Sequence, residues 1–268
     1  MKKEKWYRPL ISRYRNYRCS KLADQLKLIL DDCCDQIPVI IVCYNNGVYV
    51  KNLTKQLQLF NIKPIIIDNL SKDKETKKIL HSLKSKDRAY IAYSNVNFGH
   101  FVGFLDPIYK LLPDHFAYSD PDLQLNKKLP KNFLKILLEI TIKYKTYKAG
   151  FALDLLENRR VIKVSQDISI TKPFYFCKSF SVRDFEERFW RFPVRNDNYE
   201  LYYAPTDSTF SVYNKNNFHG NFYDAIRVAG NFAAIHLPWF PEIDIMSENQ
   251  KDIYLKNSRK RDSTWIKK

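Results

Sequence analysis

Glycine is scarce in this sequence, with 6 residues in 268. It holds no G-x-x-x-x-G-K-[ST] loop, no G-x-G-x-x-G turn and no G-x-S-x-G elbow. Phosphate cradled by a glycine-rich helix start, dinucleotide binding of the usual kind and nucleophile-elbow hydrolysis are thereby excluded. Long apolar runs are missing too. No stretch approaches the roughly 18–20 residues of a membrane span. The opening segment, MKKEKWYRPLISRYRNYR, is basic with no apolar region behind it, so a secretory signal is not expected. The cysteines are Cys19, Cys33, Cys34, Cys43 and Cys177, an odd set of 5 with neither paired nor C-x-x-C spacing. Neither a disulfide framework nor a zinc site is expected, and a reducing cytoplasm is the expected compartment. Internal repeats and low-complexity linkers are also lacking.

Apolar residues are not lacking. Hydrophobic residues make up 45% and aromatics 15%, enough for a sizeable core and too many for a disordered chain. The length fits one large domain with appendages.

The formal charge is +16, and most of it sits at the ends. Lys2, Lys3, Lys5, Arg8, Arg13, Arg15, Arg18 and Lys21 face Glu4 alone. Lys251, Lys256, Arg259, Lys260, Arg261, Lys267 and Lys268 face Asp252 and Asp262. Trp6, Tyr7, Tyr14, Tyr17, Tyr254 and Trp265 accompany them. Basic residues mixed with rings suit an anionic membrane surface; the plain alternative is a pair of solvated basic tails. A nucleic-acid enzyme would more often line its cleft with this charge, so no nucleic-acid partner is expected.

Hydrophobic periodicity outlines alternating elements. Residues 20–35 read as an amphipathic helix through Leu22, Leu26, Ile29 and Leu30. Residues 37–44 (IPVIIVCY) and 62–67 (IKPIII) are continuous β-branched runs that read as buried strands. Residues 89–93 and 115–118 add two more. Helices are expected through Val50, Leu53, Leu57 and Phe60, over 74–84, over 102–112 and in the segment 130–145. A strand is expected over 149–153. Mixed, partly antiparallel strands are expected over 159–215, with a helix near 183–190. Four strand–helix alternations predict a doubly wound, mostly parallel α/β sheet, with a mixed C-terminal half. Such sheets bind ligands outside the carboxyl ends of their strands. Asn45, Asp68, Asn95, Asn97, Asp120 and Asp122 collect at those ends.

Asp120-Pro121-Asp122 sets two carboxylates just past the fourth strand. Two such groups in a turn can converge on a hard divalent cation and leave positions open for phosphate.

These segments carry a resemblance. VIIVCYNN, then IIIDN with Ser71-Lys72-Asp73, then NVNFG, then YSDPDL resemble in order the nucleotide-sugar half of a GT-A fold glycosyltransferase, most like family two. Further on, FEERFW, APTDSTFSVY and AIRVAGNFAAIHLPWF resemble the C-terminal half of a subset of bacterial family-two-like enzymes. The resemblance implies a GT-A-like sheet, a nucleotide-sugar donor with UDP-sugars favoured, a Mn2+ or Mg2+ cofactor, and a glycan or glycolipid acceptor. It divides the chain into a basic aromatic arm and helix at 1–36, a catalytic region at 37–246 and a basic tail at 247–268. The catalytic region splits into a donor half, 37–125, and an acceptor half, 126–246.

Carried onto this sequence, Tyr44 and Asn45 would contact the nucleoside and Asp68 would accept from a base edge. Asn97, Gly99 and His100 would lie along the base, ribose or diphosphate. Asp120 would face ribose and metal, and Asp122 would ligate the metal. Pro121 departs from the commoner small residue at that place and removes no carboxylate. His236, in AAIHLPWF, is either a core histidine or a further metal ligand.

An inverting transfer needs a carboxylate to take the acceptor's proton. Asp207 and Glu186 are the first candidates, with Asp154, Glu187 and Asp224 behind them. A cap or an ion pair to Arg183 or Arg188 is the bland role for the first two. For Trp190, Trp239 and Phe240, core packing is the expected role and sugar stacking the other. Two other functions remain. A sugar-phosphate nucleotidyltransferase would carry a glycine-rich loop where this chain has Tyr44-Asn45-Asn46-Gly47. A basic nucleic-acid-binding protein would leave Asp120 and Asp122 unexplained.

Overall fold

The structure is a computed structural model that describes residues 8–33, 37–156, 163–164, 180–194 and 198–257. Most of the basic residues at the two ends lie outside the described residues or have side chains outside them.

The first half alternates as its periodicity predicts. Helix α1 (Arg8–Asp32) leads to strand β1 (Val39–Cys43), helix α2 (Gly47–Gln58), strand β2 (Ile65–Asp68), helix α3 (Lys74–Ser85) and strand β3 (Tyr90–Tyr93). A single 3-10 turn, Val102–Phe104, and the short helix α4 (Asp106–Tyr109) precede strand β4 (His115–Ser119). Next come the short strand β5 (Leu123–Gln124), helix α5 (Phe133–Tyr144) and strand β6 (Lys148–Phe151).

Two expectations here need correction. The first helix begins at Arg8, not near residue 20, with Pro9 in its first turn, where a missing N–H is tolerated. The helix expected over 102–112 is broken in two. Leu105 is extended at φ −68° and ψ 136° and caps a new helical turn, in whose first positions Pro107 is tolerated because its missing N–H would have no partner there.

The second half is built from short pieces. Strands β7 (Lys163–Val164) and β8 (Phe180–Ser181) pair antiparallel on their own. Helix α6 (Val182–Glu186) runs into a 3-10 turn at Glu187–Trp190. Strands β9 (Pro193–Val194), β10 (Leu201–Tyr203), β11 (Ser211–Asn214) and β12 (Ala225–Val228) follow. Strand β13 (Ile235–His236) and helix α7 (Glu248–Asn257) complete the order. The segment expected to be a basic tail thus contains a helix, tied down by Lys251 on Asp244 at 2.9 Å.

Among the described residues, nine strands form one mixed sheet in the order β3-β2-β1-β4-β11-β6-β12-β10-β9. β3, β2, β1 and β4 are parallel. β11 is antiparallel to both β4 and β6, whereas β12 runs parallel to β6. The period-two alternation of β1 decides the layering. Val39, Ile41 and Cys43 pack with Leu53, Leu57, Leu80, Leu83, Phe133 and Leu137 from α2, α3 and α5. Ile40 and Val42 pack with Cys19, Leu22, Leu26 and Ile108 from α1 and α4. The open edge at β3 is partly closed by Gln25 of α1. Its amide donates to Tyr93 O at 3.0 Å and accepts from Tyr93 N at 3.0 Å, occupying main-chain groups that could recruit another strand.

Trp239 and Phe240 are buried in the core, as expected. Among the described residues no helix is long and apolar enough to cross a membrane.

Candidate functional site

The parallel half ends in a row of polar residues at one edge of the sheet. Asn45 follows β1 in the left-handed region, φ 53°, which asparagine tolerates. Its Oδ1 accepts from Lys72 N at 2.7 Å and Asp73 N at 2.9 Å, and its own N–H donates to Ser71 Oγ. The loop after β2 is therefore moored to the end of β1. Asn45 Nδ2 is buried without a partner among the described residues. Asp68, the last residue of β2, is buried and accepts from Ser71 N at 3.0 Å. Burial raises its pKa, opposed by the bonds from Ser71. Tyr44 lies half-buried beside them.

Asn97, Gly99 and His100 mostly shape their own loop. Asn97 Oδ1 accepts from Gly99 N at 2.9 Å, and Gly99 sits at φ 86°. Gly99 O accepts from Asn69 Nδ2, and His100 O accepts from Tyr118 OH at 2.6 Å. Gly103 completes that contact, because a Cβ there would lie 2.3 Å from the Tyr118 ring.

Past β4 the two carboxylates take different partners. Asp120 accepts a short hydrogen bond from Ser208 Oγ, while its N–H donates to Ser208 O at 2.8 Å. Asp122, 7% exposed, faces His236, with Oδ2 3.3 Å from Nε2. The pairing of β5 with β13 brings them together, since His236 stands opposite Leu123 and Leu237 N donates to Asp122 O at 2.9 Å. Asp122 Oδ1 and His236 Nδ1 are both buried without a hydrogen-bond partner among the described residues. The His236 ring lies 4.5 Å from that of Trp239, so Trp239 backs the histidine.

The expected ligand set of Asp120, Asp122 and His236 is thus only partly assembled. Among the described residues no group of three or more His, Cys, Asp or Glu side chains is placed to hold a metal. What remains is a carboxylate–imidazole pair with unsatisfied buried atoms. That pair fits a cation whose other ligands come from a substrate's phosphates, since such ions are often held by only one or two protein groups. The electrostatics agree. Asp120's pKa is raised well above the usual carboxylate value by burial and then by the Asp122 charge. Ser208 opposes this and Asp207 adds to it. A cation beside these carboxylates would relieve that repulsion.

Asp207 lies exposed in the loop between β10 and β11, near Asp120 in the field. Glu186 is 1% exposed and ion-paired with Arg227. Its burial raises its pKa and the Arg227 charge lowers it. The ion pair foreseen for Glu186 exists, with Arg227 as the partner in place of Arg183 or Arg188. Asp154 and Asp224 serve the backbone, accepting from Leu156 N and Tyr147 N. Trp190 packs on Tyr202, their ring centroids 5.1 Å apart.

Sequence reasoning missed Ser208, Lys148 and Arg227. The last two are buried cations beneath the Asp207 loop. Burial brings the Lys148 ammonium down to about 7, against a pull upward from Asp207. The available signal was a single cation embedded in an apolar strand run, KAGFAL and AIRVAG.

No protein-family model matches the chain, and no curated protein matches it. Solved structures to which it is similar include S. aureus TarS 1-349, at 18% identity and TM-score 0.34, covering 48% of this chain. A mannosyltransferase, PcManGT, from Pyrobaculum calidifontis, in complex with GDP-Man and Mn2+, matches at 9% identity and TM-score 0.40, covering 77% of this chain. S. aureus TarS matches at 16% identity and TM-score 0.33, covering 47% of this chain. This chain covers 38%, 56% and 24% of those chains respectively, about half of their length or less.

Proposed function

We propose that the chain is a metal-dependent glycosyltransferase of GT-A type. It would move a sugar, with inversion, from a nucleotide-sugar donor, UDP-sugars favoured, to a glycan or glycolipid acceptor. The observation that carries the reading is the Asp122–His236 pair. Two buried polar atoms there lack partners among the described residues, at the carboxyl edge of the parallel half of the sheet, where such folds take their ligands.

In this reading Asp122 and His236 hold Mn2+ or Mg2+, and Asp120 lies beside them toward the ribose. The bound cation would neutralise the diphosphate as it leaves. Tyr44, Asn45 with its unpaired Nδ2, and Asp68 form the nucleoside end. Asn97, Gly99 and His100 form the loop along the ribose and diphosphate. Asp207 is the base that takes the acceptor hydroxyl's proton; its exposure suits that role. Glu186 is the second choice, because its ion pair with Arg227 occupies its carboxylate. The basic, aromatic ends would keep a cytoplasmic enzyme against the anionic inner face of a membrane.

The test is calorimetry with UDP and Mn2+, then with UDP-, GDP-, dTDP- and CMP-sugars. Asp122→Ala is expected to abolish the Mn2+-dependent binding while the chain stays folded. Unchanged affinity in that variant would remove the metal assignment.

A further inference from the structure

Two cations lie beneath the loop that joins β10 to β11. Lys148, at the start of β6, is fully buried, and Arg227, in β12, is 5% exposed. The register sets Lys148 opposite Ala225 and Gly150 opposite Arg227, so both cations leave the same face of the sheet. Arg227 Nε donates to Pro205 O at 3.0 Å. Lys148 Nζ donates to Thr206 O at 2.8 Å and to Asp207 O at 3.4 Å. Three consecutive carbonyls are held this way.

Gly150 lies between the two cations. A Cβ there would sit 2.1 Å from Ser211 Oγ and 2.7 Å from Phe210 O, so the loop can return to β11 only over bare backbone. At its outer side the loop carries Ser208, whose hydroxyl donates to Asp120.

Glu186 balances the charge of Arg227. Lys148 has no carboxylate within ion-pairing distance among the described residues. Its ammonium lies 3.9 Å from the Phe222 ring centroid and 5.2 Å from that of Tyr213. Burying an unpaired ammonium is strongly disfavoured, and an apolar residue of similar length would fill this place without that cost. Packing alone therefore does not account for a lysine here; the carbonyls it holds do.

We infer that Lys148 and Arg227 are positioning residues: they clamp the 204–210 loop so that Asp207 faces the acceptor and Ser208 holds Asp120 at the sheet edge. The clamp stands on the contacts alone, and its catalytic consequence rests on the transfer reading above.

Hydrogen exchange of the full chain, read by mass spectrometry without ligand, tests it in wild type, Lys148→Met and Lys148→Arg. Losing hydrogen bonds from a charged donor is expected to speed exchange in a 204–210 peptide by about tenfold or more. A peptide covering 39–43 is expected to exchange as before. Lys148→Arg is expected to restore part of the protection. UDP release from the UDP-sugar with the largest thermal shift, with Mn2+, is the second readout. In Lys148→Met, kcat is expected to fall about tenfold or more while KM for that donor moves less than about twofold.

Unchanged exchange over 204–210 in the methionine variant overturns the proposal, and so does faster exchange with unchanged kcat. If the methionine variant loosens everywhere, the arginine variant decides: local protection regained supports the clamp, and none regained overturns it. Should wild type bind no sugar nucleotide at all, the transfer reading fails and the exchange data still judge the clamp.

Discussion

Replacing Lys148 with methionine is expected to change how stability depends on pH, and the size of the change follows from burial. The native ammonium has its pKa brought from 10.5 down to about 7. In the unfolded chain the amine titrates near its ordinary value. Between those two pH values the unfolded state holds more protons than the native state, so wild-type stability rises with pH across the window. Below about pH 7 both states are protonated and the penalty is constant and full. The slope inside the window approaches about 1.4 kcal/mol per pH unit. From pH 7 to 9 the gain is on the order of 2 kcal/mol. Methionine cannot titrate. Its lost hydrogen bonds offset the whole curve by a constant, and the other lysines and tyrosines cancel between the two proteins. Urea unfolding of both at pH 7, 8 and 9 therefore isolates the one group, and wild type is expected to gain about 2 kcal/mol on the variant. Parallel stability curves would refute the reasoning, because they would mean an ammonium that is solvated or ion-paired in the native state.

Asp207→Asn keeps size and polarity but cannot take a proton, so transfer is expected to fall about 10²–10⁴-fold at near-normal Mn2+–donor affinity; steady-state kinetics beside calorimetry check both halves. Glu186→Gln leaves Arg227 buried without its counter-charge and is expected to cost about 3–5 kcal/mol of stability in denaturant titration. A stable Glu186→Gln with lost transfer would make Glu186 the base instead. Gly150→Ala forces the loop off β6 and is expected to cost about 1–3 kcal/mol by the same measurement, or more if Phe210 cannot move.

The first half was legible because its strands announce themselves. Val39–Cys43 and Ile65–Asp68 are buried on both faces, and an uninterrupted β-branched run has few other uses. The polar residues that end those runs could be placed at one sheet edge before any contact was known. The second half gave less. β11 and β12 are short and pair with β4 or β6, strands far back in the chain, and no local pattern encodes that pairing. The meeting of Asp122 with His236 depends on β5 finding β13, again a non-local event. Single residues were the weakest signal. Asn97 looks like a ligand contact in the sequence and proves to cap its own turn. Arg227 looks like a stray charge in a strand and proves to be the partner that closes off Glu186.

The place of β11 has a mechanical consequence. It gives its main-chain hydrogen bonds to β4 on one side and to β6 on the other. A rigid-body opening between the portion that ends at β4 and the portion that begins at β6 would have to break one of these two ladders along its whole length. Hinge closure of two lobes, a common way to admit and then enclose a substrate, is therefore denied to this chain along the sheet. Any relative motion has to come from segments that cross the sheet edge, and the shape of that edge is fixed by backbone pairing.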